Sequence, residues 1–216
     1  MNELYPIFLI LKDRPVAVIG GGKVAERKIM SLLDTGAKIT VIAPEITEKI
    51  KSLADQKRLF YQPRNFIEED IEGKFMVFIS TDSAEVNRRI SRLAREKGIL
   101  VNCVDTPEAC VFFVPSFFRR GSLTFALSTG GKIPALAKKI RGELQLSYGE
   151  VFAEYLELLA EARKKIIKEF PLKSKKKKEL IEKLLNSNLL ALLKAGKKDE
   201  AIRFIKDFLQ KNLPGK

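Results

Sequence analysis

The 216-residue sequence has no histidine, only two cysteines and no long apolar run. Without histidine there is no His-ligated zinc site, no Ser-His-Asp triad and no imidazole general base. Acid–base work falls to Asp, Glu, Lys, Tyr or Cys. Cys103 and Cys110 have neither a CxxC spacing nor the numbers for a disulfide framework, so they read as small buried hydrophobes in a reducing compartment. No apolar stretch approaches the roughly 18 residues of a membrane helix. The short run Ile7–Leu11 follows Glu3 rather than a basic segment and lacks a small-residue cleavage site. A cytoplasmic protein without a membrane partner is expected.

Charge is present in excess and unevenly placed. Residues 1–131 carry 19 Lys+Arg against 16 Asp+Glu, a net of +3, and residues 132–216 carry 21 against 11, a net of +10. A basic C-terminal half calls for an anionic partner, with nucleic acid, a membrane surface or a polycarboxylate as the candidates. The lysine run Lys173–Lys178, interrupted by Ser174, has no interleaved aromatics and so no stacking platform for bases. It reads as a solvated linker and helix start, and no nucleic-acid partner is expected.

In the first hundred residues, short β-branched runs alternate with helical patterns. Strands are predicted over Val16–Gly20, Lys38–Ala43, Arg58–Gln62, Phe75–Ser80 and Leu100–Val104, with helices over Lys23–Thr35, Glu45–Gln56 and Ser83–Lys97. That order predicts βαβ units and a Rossmann-like parallel sheet of the α/β class. Short strand-like pieces follow at Val111–Val114, Phe117–Arg120 and Leu123–Ser128. Helices are predicted over Pro134–Tyr148, Glu150–Glu169, Lys175–Leu193 and Lys198–Asn212. The expected organisation is a parallel-sheet domain over 1–112, a small β/α segment over 113–149, and an all-helical domain over 150–216. The cluster Phe112, Phe113, Phe117 and Phe118 reads as core or subunit interface.

The strongest local signal is Val16-Ala17-Val18-Ile19-Gly20-Gly21-Gly22-Lys23-Val24-Ala25, a G-x-G-x-x-A fingerprint that follows a strand and opens a helix. Gly20 permits the tight turn, Gly22 lets the backbone approach a pyrophosphate, and Ala25 allows close helix–strand packing. The first helical amides, at Lys23 and Val24, face the phosphates. An acid normally ends the second strand to bond the ribose; here that strand ends Ala43-Pro44-Glu45, with the acid displaced past a proline. Either Glu45 or backbone groups near Ala43 would read the ribose. With no Arg or Lys between Ile39 and Glu48, NAD is favoured over NADP.

Beyond the glycine loop, Tyr5-Pro6-Ile7-Phe8-Leu9, Val41-Ile42-Ala43-Pro44, Ser80-Thr81-Asp82, Val101-Asn102-Cys103-Val104-Asp105, Phe113-Val114-Pro115-Ser116 and Leu127–Pro134 occur in order. With that loop they resemble the precorrin-2 dehydrogenase/sirohydrochlorin ferrochelatase family, which includes the N-terminal half of bifunctional siroheme synthases. The likeness spans roughly residues 4–145, and no methyltransferase domain follows, as in the stand-alone form. The resemblance implies NAD-dependent oxidation of precorrin-2 to sirohydrochlorin by a homodimer, and it assigns dimerisation and substrate binding to the segment 113–149. Members differ in whether they also insert Fe²⁺, and no dedicated metal site is read from the sequence.

The resemblance ties activity to the aspartate after the fifth strand, Asp105. A basic role at neutral pH would need its pKa raised from about 3.9. It also implies that Thr81 and Asp82 border the cofactor, and that Asn102, Ser128, Thr129, Gly130 and Lys132 face the tetrapyrrole. Paired glycines with adjacent hydroxyls make Ser128–Pro134 a plausible carboxylate cradle. The alternative is an NAD-sensing regulatory module with a helical partner-binding tail, which would need the glycine loop but neither Asp105 nor the 128–134 loop.

Overall fold

A computed structural model describes residues 4–104, 106–170 and 174–213. Two compact units divide the chain, Leu4–Val114 and the chain from Pro115 onward.

In the first unit, β1 (Pro15–Ile19), β2 (Lys38–Ile42), β3 (Phe60–Gln62), β4 (Met76–Ile79) and β5 (Leu100–Cys103) form one sheet in the order β3-β2-β1-β4-β5. Every pairing is parallel. Side chains alternate across a strand, so β1 feeds two cores. Val16 and Val18 join Ile29, Leu32 and Ile50 under α1 (Lys23–Leu32) and α2 (Glu48–Asp55). Ala17 and Ile19 join Ile90, Ala94 and Val101 under α3 (Ala84–Glu96). Burial on both faces explains why these strands read as continuous apolar runs.

The order reverses at β1, with β2 on one side and β4 on the other. Their carboxyl ends lie in register, Ile19 beside both Ile42 and Ile79. A doubly wound sheet opens its ligand crevice at that point.

Some boundaries differ from expectation for local reasons. The helix expected from Glu45 starts at Glu48, because the Thr47 hydroxyl accepts from the Ile50 amide and caps it there. Val111–Val114 is not a strand. It runs along the open edge of β5 with a backbone bond from Val111 N–H to Val101 O (2.9 Å), after which the Phe112 carbonyl is taken by the Asn102 side chain, not a ladder partner.

Between β3 and β4, the buried Asp70 carboxylate accepts from both terminal nitrogens of Arg64 (2.8 and 2.6 Å) and from the Ile67 amide (2.9 Å). Burial alone would raise the Asp70 pKa; the bonds from Arg64 and Ile67 outweigh it and hold the carboxyl below its ordinary 3.8. A group with a depressed folded pKa stabilises above its unfolded pKa and loses that contribution as pH falls through the folded one. Asp70→Ala is expected to cost about 1–3 kcal/mol at pH 7, with the gap to wild type closing below pH 4 in urea titrations. An undiminished gap at pH 2 would contradict the assignment.

In the second unit, β6 (Ser116–Arg120) and β7 (Leu123–Leu127) form an antiparallel hairpin whose turn holds Gly121 at φ +55°. Phe118 stacks on Phe125 (4.7 Å, 8°). Helices α4 (Pro134–Ser147), α5 (Val151–Glu169), α6 (Lys175–Leu185), α7 (Leu189–Lys194) and α8 (Lys198–Asn212) follow. Ala162, Ile166, Leu180, Leu184, Leu189, Leu193 and Ile205 build an apolar core.

The single helix expected over Lys175–Leu193 is two. A continuous helix would set Leu184 and Leu189 about 140° apart at 3.6 residues per turn, whereas both are needed in that core. The Ser187 hydroxyl donates to Leu184 O (2.7 Å) and helps close the turn between α6 and α7. The lysine run opens α6 with Lys175, Lys176 and Lys178 exposed, as expected; the solvated reading is corrected at Lys177, which is buried. Lys173 lies outside the described residues.

Among the described residues, no helix is long and apolar enough to cross a membrane.

Candidate active site

The crevice at the carboxyl ends of β1, β2 and β4 is built by three turns. The first is the glycine loop. Gly20 has φ +116°, and a methyl group there would sit 2.3 Å from the Ser80 carbonyl oxygen. At Gly21 the same methyl would meet Glu45 O at 1.9 Å. Both glycines therefore serve close backbone approach within the protein.

Gly22 differs. It caps α1 with extended backbone, and a methyl group on it would meet nothing within 4 Å. No side chain caps the α1 amides, whereas Thr47 caps α2 and Ser83 caps α3. Free helical amides beside an open space suit a phosphate. Val24 is half-buried. The Lys23 side chain is exposed and turned to Glu26 (3.5 Å), so its amide rather than its ammonium is what the loop offers.

The second turn follows β2. Ala43 is buried, while Pro44 and Glu45 are exposed. The Tyr61 hydroxyl lies 3.1 Å from Ala43 O and 3.2 Å from Pro44 O, and Thr47 N–H donates to Gly21 O (3.1 Å). The Thr47 hydroxyl donates to the Glu26 carboxylate (2.6 Å), and that bond holds Glu26 below the usual carboxylate range. This clasp between α1 and the β2–α2 turn was not foreseen; its partners are 21 positions apart.

The third turn follows β4. The Thr81 hydroxyl donates to Asn87 Oδ1 (2.6 Å), and Asn87 Nδ2 donates back to Thr81 O (3.0 Å). Asn87 is fully buried, so Thr81 is held from beneath while Asp82 stays exposed. Gly20, Gly22, Lys23, Val24, Ala43, Pro44, Glu45, Thr81 and Asp82 thus gather at one sheet edge.

The remaining predicted residues are placed otherwise. Asn102 is 6% exposed; its Oδ1 accepts from Lys28 Nζ (3.1 Å), and its Nδ2 donates to Phe112 O (3.0 Å). Burial, and then the charge of Arg27, push the Lys28 ammonium below the usual lysine range. Asp105 lies outside the described residues.

In the second unit, Ser128, Gly130 and Lys132 are exposed and Thr129 is half-buried. Gly130 and Gly131 take φ +62° and +80°. The Ser128 hydroxyl oxygen accepts from Gly130 N–H (3.1 Å) and that of Thr129 from Ile133 N–H (3.2 Å). The expected cradle of free amides is therefore partly filled from within, and both hydroxyl protons remain to donate outward. Among the described residues, no cluster of three or more Cys, Asp or Glu side chains could hold a metal ion.

A family model described as "Putative NAD(P)-binding" matches residues 7–116. The chain belongs to this NAD(P)-binding family. The three turns lie within the matched residues. The chain is 31% identical over 211 residues to a siroheme synthase of Thioalkalivibrio sulfidiphilus, covering 98% of this chain and 43% of that protein. It is 37% identical over 168 residues to the siroheme synthase of Methylobacillus flagellatus, covering 78% and 36%. It thus spans less than half the length of these curated relatives. A solved structure titled "SirC, precorrin-2 dehydrogenase" superposes with a TM-score of 0.76 at 29% identity, covering 94% of this chain and 100% of that one.

Proposed function

We propose that this chain is an NAD-dependent dehydrogenase that oxidises precorrin-2 to sirohydrochlorin in siroheme biosynthesis. The observation that carries the reading is the likeness, over nearly the whole of both chains, to a structure titled precorrin-2 dehydrogenase. The uncapped α1 terminus and the open space at Gly22 fit a dinucleotide. When bound, NAD supplies the acceptor for the hydride.

The protein's own residues bind, orient and move the proton. The amides of Lys23 and Val24 hold the pyrophosphate, Ala43–Glu45 border the ribose, and Thr81 and Asp82 line the crevice beyond it. Asp105 takes the proton that leaves with the hydride. Ser128, Thr129, Gly130 and Lys132 hold carboxylates of the tetrapyrrole, and Asn102 supports the substrate side of the sheet. The +10 charge of residues 132–216 suits a polycarboxylate.

In this reading residues 1–112 bind NAD, 113–149 serve dimerisation and substrate, and 150–216 form the helical domain of a cytoplasmic homodimer. Phe113, Ile133, Leu136 and Leu146 expose apolar surface within 113–149, as a subunit interface requires. Phe112 instead packs edge-on against Phe78 (5.5 Å), and Phe118 lies in the core. The relatives are named as enzymes, which does not favour an NAD-sensing module.

Anaerobic mixing with precorrin-2 and NAD should give NADH and the sirohydrochlorin spectrum together. NAD binding without turnover would favour the sensing module instead. Adding Fe²⁺ afterwards tests iron insertion: a siroheme spectrum signals a second activity, and an unchanged one confines the chain to oxidation.

A further inference from the structure

Residues 4–10 are apolar without exception, yet every one of them is exposed, Tyr5 at 87%, Phe8 at 73% and Ile10 at 84%. The segment is neither helix, strand nor turn. Among the described residues, none of its backbone or side-chain groups takes part in a hydrogen bond, and neither aromatic ring meets another. Apolar side chains gain by leaving water, and unpaired backbone groups are a template for another chain.

The base of the segment is fixed. Leu11 is buried in the core beneath α1 and α2. Arg14 N–H donates to Leu11 O (2.9 Å), and Asp13 N–H donates to Gly36 O (2.9 Å). This turn joins the segment to the amino end of β1, at the opposite end of the sheet from the crevice.

Area and charge point to what covers it. A turned-out aromatic side chain presents roughly 150–250 Å². With the aliphatic residues beside Tyr5 and Phe8, the segment leaves on the order of 800 Å² in water, about what one partner brings to a stable interface. The largest apolar patch of a typical monomer is only about 300–600 Å². No charged residue lies between Leu4 and Leu11, in a chain of net charge +13. Two copies repel across basic surface and meet most readily where charge is absent. An acidic partner would find no cation here to pair with.

We propose that residues 4–10 form an interaction surface for a second copy of this chain, each copy burying its segment against the other about a two-fold axis. The surface lies outside 113–149, and a dimer held by 113–149 alone would leave it in water. It adds to the homodimer reading and does not depend on the chemistry of the crevice.

The test uses the full chain. Sedimentation equilibrium gives the dimer dissociation constant of the wild type and of the variant Tyr5→Ser/Ile7→Ser/Phe8→Ser/Ile10→Ser. The variant's constant is expected to be at least about 100-fold higher. Because these side chains are exposed in the single chain, its circular dichroism should match that of the wild type. Hydroxyl-radical labelling of the wild type alone gives a second measure, which stands even if the variant fails to fold. Labelling of Tyr5 and Phe8 should fall at least about fivefold from the dilute to the concentrated end of a series, as at the buried core of an interface.

A folded variant as tightly dimeric as the wild type removes this surface while the homodimer stands; a monomeric wild type removes both. Labelling that ignores protein concentration also overturns the proposal, and uniformly low labelling would mean that the chain's own residues cover the segment. Protection gained only with phosphatidylglycerol vesicles would assign the segment to a membrane surface instead of a second copy.

Discussion

A Gly22→Val chain is expected to fold normally and to bind NAD about 100-fold more weakly, a loss of ~2.7 kcal/mol. Gly22 has extended backbone that any residue can adopt, and a side chain on it would point into open space. The folding cost is confined to a poorer helix cap, about 1 kcal/mol. The binding cost is large because the added methyls fill the space in front of the uncapped α1 amides, where a pyrophosphate would lie.

Gly20→Ala should behave in the opposite way. Its φ of +116° is strained for alanine, and the added methyl would stand 2.3 Å from Ser80 O. Strain alone costs about 1–3 kcal/mol, before the overlap is counted. Thermal melts and fluorescence titration with NADH separate the two variants. A Gly22→Val chain that binds NADH as wild type does would remove the dinucleotide from this crevice.

Replacing Asp105 by alanine is the second large effect. Loss of a positioned proton acceptor lowers turnover by about 10²–10⁴-fold. Binding of NAD should change by less than about twofold, because the glycine loop and its clasp contain no part of that residue. Single-turnover mixing with precorrin-2 reads the first quantity, and NADH titration reads the second. Wild-type turnover with intact folding would take Asp105 out of the mechanism. Weakened NAD binding with unchanged chemistry would make it part of the cofactor site.

Much of the architecture was legible because its signals are local. Gly20, Gly22 and Ala25 stand within six residues of each other, directly after a β-branched run, and each does locally what its residue type allows. The five parallel strands followed from apolar runs of a length that both-face burial demands. What escaped was non-local. The Lys28–Asn102 bond joins residues 74 positions apart, and α1 shows only an ordinary basic residue at that place. Asn102 was expected at the substrate; in the fold its amide is spent on Lys28 and Phe112.

The Val111–Val114 run has strand composition, yet side chains of Asn102 and Cys110 take over the edge that a ladder would have used. The α6–α7 break is weakly written in Asn186-Ser187-Asn188, residues that compete with the helix for backbone bonds. A helical period alone read through it. In the 128–133 loop, hydroxyls and glycines marked a turn correctly, but residue types could not tell that two of the hydroxyl oxygens serve the loop's own amides.

The most direct test of the central claim is stoichiometric. Enzyme, precorrin-2 and excess NAD are mixed without oxygen, and NADH and sirohydrochlorin are followed at separate wavelengths. The account predicts one NADH for each sirohydrochlorin formed, both appearing at one rate, both lost in Asp105→Ala, and both restored in Gly22→Val only at about 100-fold higher NAD. Sirohydrochlorin formed without NADH, or NADH binding with no oxidation of precorrin-2 at any enzyme concentration, would contradict it.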